Sequence, residues 1–187
     1  MDTPLEIEIK IPVDDLESIR RVLRVVSAEL VHQMTREENL LFETRQGYLC
    51  SKGLTLRLRR YGEHQLLTLK GPVNYNGAVK EREELEVMIE DLDRMTLIFA
   101  ALGFNPSARY EKDREVWDLN GVTVVLDHTP MGDFVEVEGP EDKILIVARK
   151  IGLDPERAIR GSYIGLWQEF RLSNPDRGLP VDMVFEK

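Results

Sequence analysis

In several stretches of this sequence charged residues recur at every second position, a spacing that can gather them on one surface. Side chains alternate faces along a β-strand, so residues two apart share a face. In Leu5-Glu6-Ile7-Glu8-Ile9-Lys10-Ile11 one face is Leu and Ile throughout, and the other carries Glu6, Glu8 and Lys10. Leu56-Arg57-Leu58-Arg59 sets two arginines against leucines, and Leu67-Thr68-Leu69-Lys70 sets Thr68 and Lys70 against two more. Residues 82–89 place Arg82, Glu84 and Glu86 opposite Leu85, Val87 and Ile89. Residues 110–116 place Tyr110, Lys112 and Arg114 on one face. Asp127 faces away from Val124 and Leu126, and Glu136 and Glu138 face away from Val135 and Val137.

Two architectures produce such alternation. One is an open sheet with a single wet face. The other is a closed barrel with a charged lumen and an apolar exterior covered by helices. The pattern alone leaves both open. Two details favour the barrel: the polar faces hold few Ser, Thr, Gln or Asn, and the signs sort by strand. Acids gather at 6–8 and 136–138, cations at 57–59 and 112–114. Enclosed together, these charges would be costly without partners or bound ions. A ligand with several negative charges, accompanied by hard cations, completes such a cavity. Arginine forks match phosphate oxygens, and carboxylates bind Mg²⁺ or Mn²⁺.

The elements that must position these residues follow from the same periodicities. Strands are expected at about 4–12, 30–43, 54–62, 65–71, 79–89, 108–119, 122–128 and 133–139. Asp14 or Asp15 caps a helix to about Ala28, and Asp91 opens another that stops at Gly103. Residues 141–151 and 156–171 read as two more helices. Tyr61-Gly62-Glu63-His64 and Asn120-Gly121 are short turns between strands, and Asn-Gly suits the positive φ of a type I′ hairpin. About eight strands with interspersed helices read as α+β with a mainly antiparallel sheet; closed into a β-barrel, it would carry its helices packed outside. One domain is expected over residues 1–172, with 173–187 a tail that packs loosely or as an irregular arm.

The chain has 187 residues, 42% hydrophobic and 32% charged, with a net charge of −9. The acidic balance argues against a general nucleic-acid binder, which needs a basic excess. It leaves room for a local basic pocket. No apolar run reaches membrane-spanning length, no secretory signal is visible, and a cytoplasmic location is expected. The single cysteine, Cys50, excludes an internal disulfide and is expected half-buried. His32, His64 and His128 show no ligand spacing and read as surface or structural residues; Glu81, Glu83 and Glu111 have the wrong parity for the lumen and read as solvated.

Glu6-Ile7-Glu8-Ile9-Lys10 resembles the ExExK signature of the CYTH superfamily, the triphosphate tunnel metalloenzymes. The resemblance continues in order through Asn39–Thr44, Leu56–Arg59, Thr68–Pro72, Arg82-Glu83-Glu84, Lys112-Asp113-Arg114, Leu126-Asp127, Gly132–Glu138 and Ser162-Tyr163. It spans about residues 5–165. One departure is Leu41-Phe42-Glu43-Thr44, where the family more often has Tyr-Phe-Asp-Thr.

The resemblance implies an eight-stranded tunnel acting on triphosphates with Mg²⁺ or Mn²⁺. The implied metal ligands are Glu6, Glu8, Glu136 and Glu138, then Asp127 and Glu84. Lys10, Arg57, Arg59, Lys70, Arg82, Lys112 and Arg114 are the implied phosphate holders. Lys10, Glu84 and Lys112 are expected nearest the chemistry. The leading expectation is hydrolysis of inorganic triphosphate, thiamine triphosphate or a nucleoside triphosphate. A class IV adenylate cyclase is the alternative, and a non-catalytic polyphosphate- or nucleotide-binding module the second. The expected partner is a small-molecule triphosphate, with neither nucleic acid nor membrane; a homodimer is left open.

Overall fold

The structure, a computed structural model, describes residues 4–186, so the outermost ends of the division expected above, 1 and 187, lie outside it. The strands are β1 (Leu5–Val13), β2 (Glu29–Thr44), β3 (Thr55–Tyr61), β4 (His64–Lys70), β5 (Asn74–Asn76), β6 (Val79–Met88), β7 (Phe104–Asp118), β8 (Thr123–Thr129) and β9 (Gly132–Glu138). The helices are α1 (Leu16–Val25), α2 (Tyr48–Ser51), α3 (Leu92–Ala101), α4 (Glu141–Lys150) and α5 (Tyr163–Ser173). Hydrogen bonding runs β1-β9-β8-β7-β2-β3-β4-β6, and β6 pairs back onto β1. Eight antiparallel strands therefore close into a barrel. The short β5, unforeseen in the sequence, hangs on β6.

The layout inverts the usual globular plan. The main apolar core lies outside the ring, between the outward faces of β1, β8 and β9 and the helices α1 and α4. Ile9, Ile11, Val124, Leu126, Val135 and Val137 meet Leu16, Ile19, Leu23, Ile144 and Ala148 there. Burying these side chains stabilises the shell by about 25 cal/mol per Å² of apolar surface removed from water. Helix α1 begins where expected: the Asp15 carboxylate accepts from the N–H groups of Glu17 and Ser18 at 2.9 and 3.1 Å. Helix α3 covers Phe42 and Leu58 through Phe99. The helical cover is incomplete, however. Leu85 and Val87, on the outward face of β6, stay 51% and 56% exposed.

The turn between β7 and β8 has Asn120 at φ 58° and Gly121 at φ 77°, as the Asn-Gly pair predicts. The last helix departs from expectation. It starts at Tyr163 and not at 156, because Gly161 sits at φ 116° and breaks the helical path, and Ser162 then caps the N–H of Gly165. The segment after Ser173 is irregular but not loose. Met183 is wholly buried; its carbonyl accepts from the N–H of Glu111 at 2.7 Å, and Trp167 Nε1 donates to the carbonyl of Val181 at 3.1 Å. Among the described residues no helix is long and apolar enough to cross a membrane.

Candidate functional site

The lumen is a cavity of about 440 Å³ lined mostly by charged side chains. Strand parity puts the charges there. Across the register, Glu8 faces Glu138, Lys10 faces Glu136, and Lys70 faces Glu84. Arg82 faces Glu6, and Arg114 faces Asp127. Every residue expected in the site lines this one cavity, apart from Asp127, which is fully buried in the wall behind Lys112 and Arg114.

The sequence-derived set misses Glu37 and Lys80, which also line the cavity. Lys80 lies two residues before Arg82 on the same face, so the period of two reaches it. No such period reaches Glu37. Register shifts between Leu30 and His32 and again between His32 and Thr35 break the alternation along β2.

The charges form two stretches of wall that meet on β1 and β9, where Glu138 and Glu136 stand two residues apart. On one, the carboxylates of Glu6, Glu8 and Glu138 lie with ligand oxygens within 4.8 Å of one another. Glu6 is held by Lys70 and Arg82, each at 2.7 Å, and Glu8 is bonded to Lys80. Burial pushes the Glu6 carboxyl upward, but Lys70, Arg82 and Lys80 outweigh it and hold the group well below the usual carboxylate range. Glu138 is the opposite case. Burial, then the neighbouring Glu6, Glu8 and Glu136, push it up to about 7.

On the other wall every acid is engaged by cations. Asp127 accepts from Lys112 at 3.0 Å, from Arg114 at 2.8 and 2.7 Å, and from the Tyr163 hydroxyl at 2.7 Å. Glu136 pairs with Lys10 at 3.3 Å and Arg114 at 2.5 Å. Glu37, fully buried, lies within 3.7 Å of Lys112, Arg59 and Arg114. Burial pushes its carboxyl up, but Lys112, Arg114 and Arg59 hold it far below the usual range. Asp127 and Glu136 therefore sit among cations, whereas Glu6, Glu8 and Glu138 make the acidic cluster.

Arg57 and Arg59 lie between the walls. Arg57 donates to the Tyr110 hydroxyl and to Thr68 Oγ1, both at 3.2 Å, and lies 3.7 Å from Glu84. Arg59 donates to Glu86 at 2.8 Å. Glu84 also pairs with Lys70 at 3.0 Å. The buried Nε of each arginine donates to no acceptor among the described residues. Buried donors left unpaired are costly, and phosphate oxygens are the acceptors that guanidinium forks match best.

One end of the barrel is plugged. Tyr163 and Trp167 of α5 pack with Tyr110, Phe134 and Met183 into a buried cluster. The Lys10 ammonium sits 3.9 Å over the Tyr163 ring and donates to the Gly161 carbonyl at 3.3 Å. Three other expectations change. Glu111 is buried outside the barrel, not solvated, because Arg36 and Arg109 pair with it at 3.2 and 2.6 Å. Cys50 is exposed, not half-buried. His32 and His64 are exposed but line the cavity mouth.

The chain is similar to known proteins. A Methanocaldococcus jannaschii protein, provisionally named an adenylate cyclase, is 27% identical over 173 residues, covering 87% of this chain and 98% of its own. A solved Pyrococcus horikoshii structure aligns with a TM-score of 0.73 at 29% identity, covering 86% of this chain and 98% of its own. A Hippeastrum protein, provisionally an adenylyl cyclase by name and described as showing a dominant triphosphatase activity, aligns with a TM-score of 0.66. At 19% identity, over 88% of this chain and 95% of its own, that likeness shows the fold alone. The CYTH domain pattern matches residues 4–163, most of the chain, and the protein belongs to the CYTH domain family.

Proposed function

We propose that this chain is a divalent-metal-dependent hydrolase of triphosphate compounds, with Glu6, Glu8 and Glu138 holding Mg²⁺ or Mn²⁺. Enzymes of the family are triphosphatases or adenylate cyclases and depend on metal in general. One observation carries the proposal. A single cavity holds an acidic cluster, in which burial and then the neighbouring carboxylates raise Glu138 to about 7, together with a field of lysines and arginines. Three carboxylates that repel one another in this way suit a hard cation. Bound there, the metal supplies charge neutralisation at phosphate oxygens.

The chain's own residues do the rest. Arg57, Arg59, Lys70, Arg82, Lys112, Arg114 and Lys10 bind and align the phosphates. Phosphate oxygens take the place of Glu84 and Glu86, the most exposed acids now paired with Arg57, Arg59 and Lys70. Asp127, Glu136 and Glu37 keep Lys10, Lys112 and Arg114 in place, so the donors are set before substrate arrives. Glu84 then orients the attacking water, while the Tyr163 plug keeps bulk water from the closed end. Water attacks the terminal phosphorus, the bond to the bridging oxygen breaks, and orthophosphate and a diphosphate leave.

The test is a product assay with inorganic triphosphate, thiamine triphosphate and ATP, each with Mg²⁺ or Mn²⁺. Metal-dependent release of orthophosphate is expected. Cyclic AMP with pyrophosphate as the sole products from ATP would replace this proposal with the cyclase alternative. Tight binding with no product from any substrate would replace it with the non-catalytic one.

A further inference from the structure

We propose that His32, Tyr61 and His64 form a ring-binding platform at the cavity mouth that selects triphosphates carrying a flat heteroaromatic group. The inference rests on the triphosphate function proposed above and names the residues that set specificity within it. The three rings come from β2, the end of β3 and the start of β4, and all line the cavity. The His32 ring meets Tyr61 edge-on at 5.6 Å and His64 edge-on at 6.4 Å. Such a cluster would normally be buried, yet both histidines are exposed and Tyr61 is half-buried. Apolar Val116 pairs with His32 across the register and also lines the cavity, so this end offers flat and apolar surface; the rings at the other end, Tyr110 and Tyr163, are buried.

The position fits a substrate's organic end. The opposite end is plugged by Tyr163 and Trp167, so a group attached to the phosphates must lie toward the mouth. Tyr61 is two residues from Arg59 on the same face, and its hydroxyl donates to the Arg114 carbonyl at 3.2 Å. Phosphates held by Arg59 and Arg114 therefore deliver the attached group beside these rings. Rings stack on aromatic side chains with little dependence on their identity, which makes the platform a selector for flatness. Inorganic triphosphate has nothing to place there.

The test compares kcat/KM for ATP, thiamine triphosphate and inorganic triphosphate in wild type and in the double variant His32→Ala/His64→Ala. The ratio of ring-bearing to inorganic substrate should fall about tenfold, chiefly through KM, since stacking acts on ground state and transition state alike. The double variant His32→Phe/His64→Phe, which keeps flat rings, should restore most of the ratio. A fall for only one organic substrate still supports the platform and identifies the ring it fits. Equal change with all three substrates, or none with any, overturns it. If wild type turns over no triphosphate at all, the parent function fails and the platform falls with it.

Discussion

The two walls of the lumen are built from the same residue types and are in opposite electrical condition. Around Asp127, Glu37 and Glu136, each carboxylate is matched by ammonium, guanidinium or hydroxyl donors from neighbouring strands. Around Glu6, Glu8 and Glu138, two acids are matched and the third is pushed up to about 7 by burial and its acidic neighbours. The first wall is complete as folded protein; the second is complete only with an added positive charge. A buried charge is tolerable when paired and costly when not. On the metal site proposed above, the difference separates residues that hold the barrel together from residues that take a ligand, a distinction composition does not make.

The comparison breaks most visibly on the compensated wall. Asp127→Ala should cost about 3–5 kcal/mol, because it strands Lys112, Arg114 and the Tyr163 hydroxyl without a partner. For a chain of this length that is a fall of roughly 10 °C in melting temperature. Calorimetry with chelator present checks it, and an unchanged melting temperature would show that this wall is not structural. A smaller effect is expected from Glu8→Gln on the acidic wall. It should leave the melting temperature within a few degrees yet lower kcat/KM for inorganic triphosphate about a hundredfold, the scale on which one electrostatic contact matters to catalysis. A fall of about 10 °C or more in melting temperature with kcat/KM unchanged would reverse the assignment of the two walls.

The sequence made most of the first-order picture legible. A period of two carries through β1, β3, β4, β6, β8 and β9, so the lumenal faces of those strands can be read directly, and the Asn120-Gly121 turn announced its hairpin. Reading fails where the period fails. Glu37 hides in the sixteen residues of β2, whose irregularities shift parity ahead of it. His32 lies between the same two shifts, and nothing local marks it as part of a mouth. The division between the walls was invisible for another reason. Asp127 and Glu138 are alike in sequence context, each one position after an apolar residue on a charged strand. Which one is neutralised depends on cross-strand partners, and Asp127 draws one of its own from Tyr163, 36 residues away.

Glu138→Gln tests the comparison at its finest grain, and its effect is the smallest. In the folded, metal-free protein the Glu138 carboxyl titrates at about 7, against an ordinary 4.5. Between those values the folded form keeps a proton that the unfolded chain has lost. The stability this group contributes is therefore fully present below the ordinary value and is lost as pH rises through the folded one. Removing the titrating charge should remove that loss. At about pH 8 with chelator, Glu138→Gln should melt roughly 2–4 °C above wild type, the shift that about 1 kcal/mol makes in a chain this size. At about pH 5 the two should melt together, since wild type is then mostly protonated at this carboxyl. Adding Mn²⁺ at about pH 8 should reverse the order: wild type gains stability by binding the ion in the folded state, and the variant, one ligand short, gains less. The same pH slope in both proteins without metal would mean that Glu138 is already compensated, and the acidic cluster would then be no different from the one around Asp127.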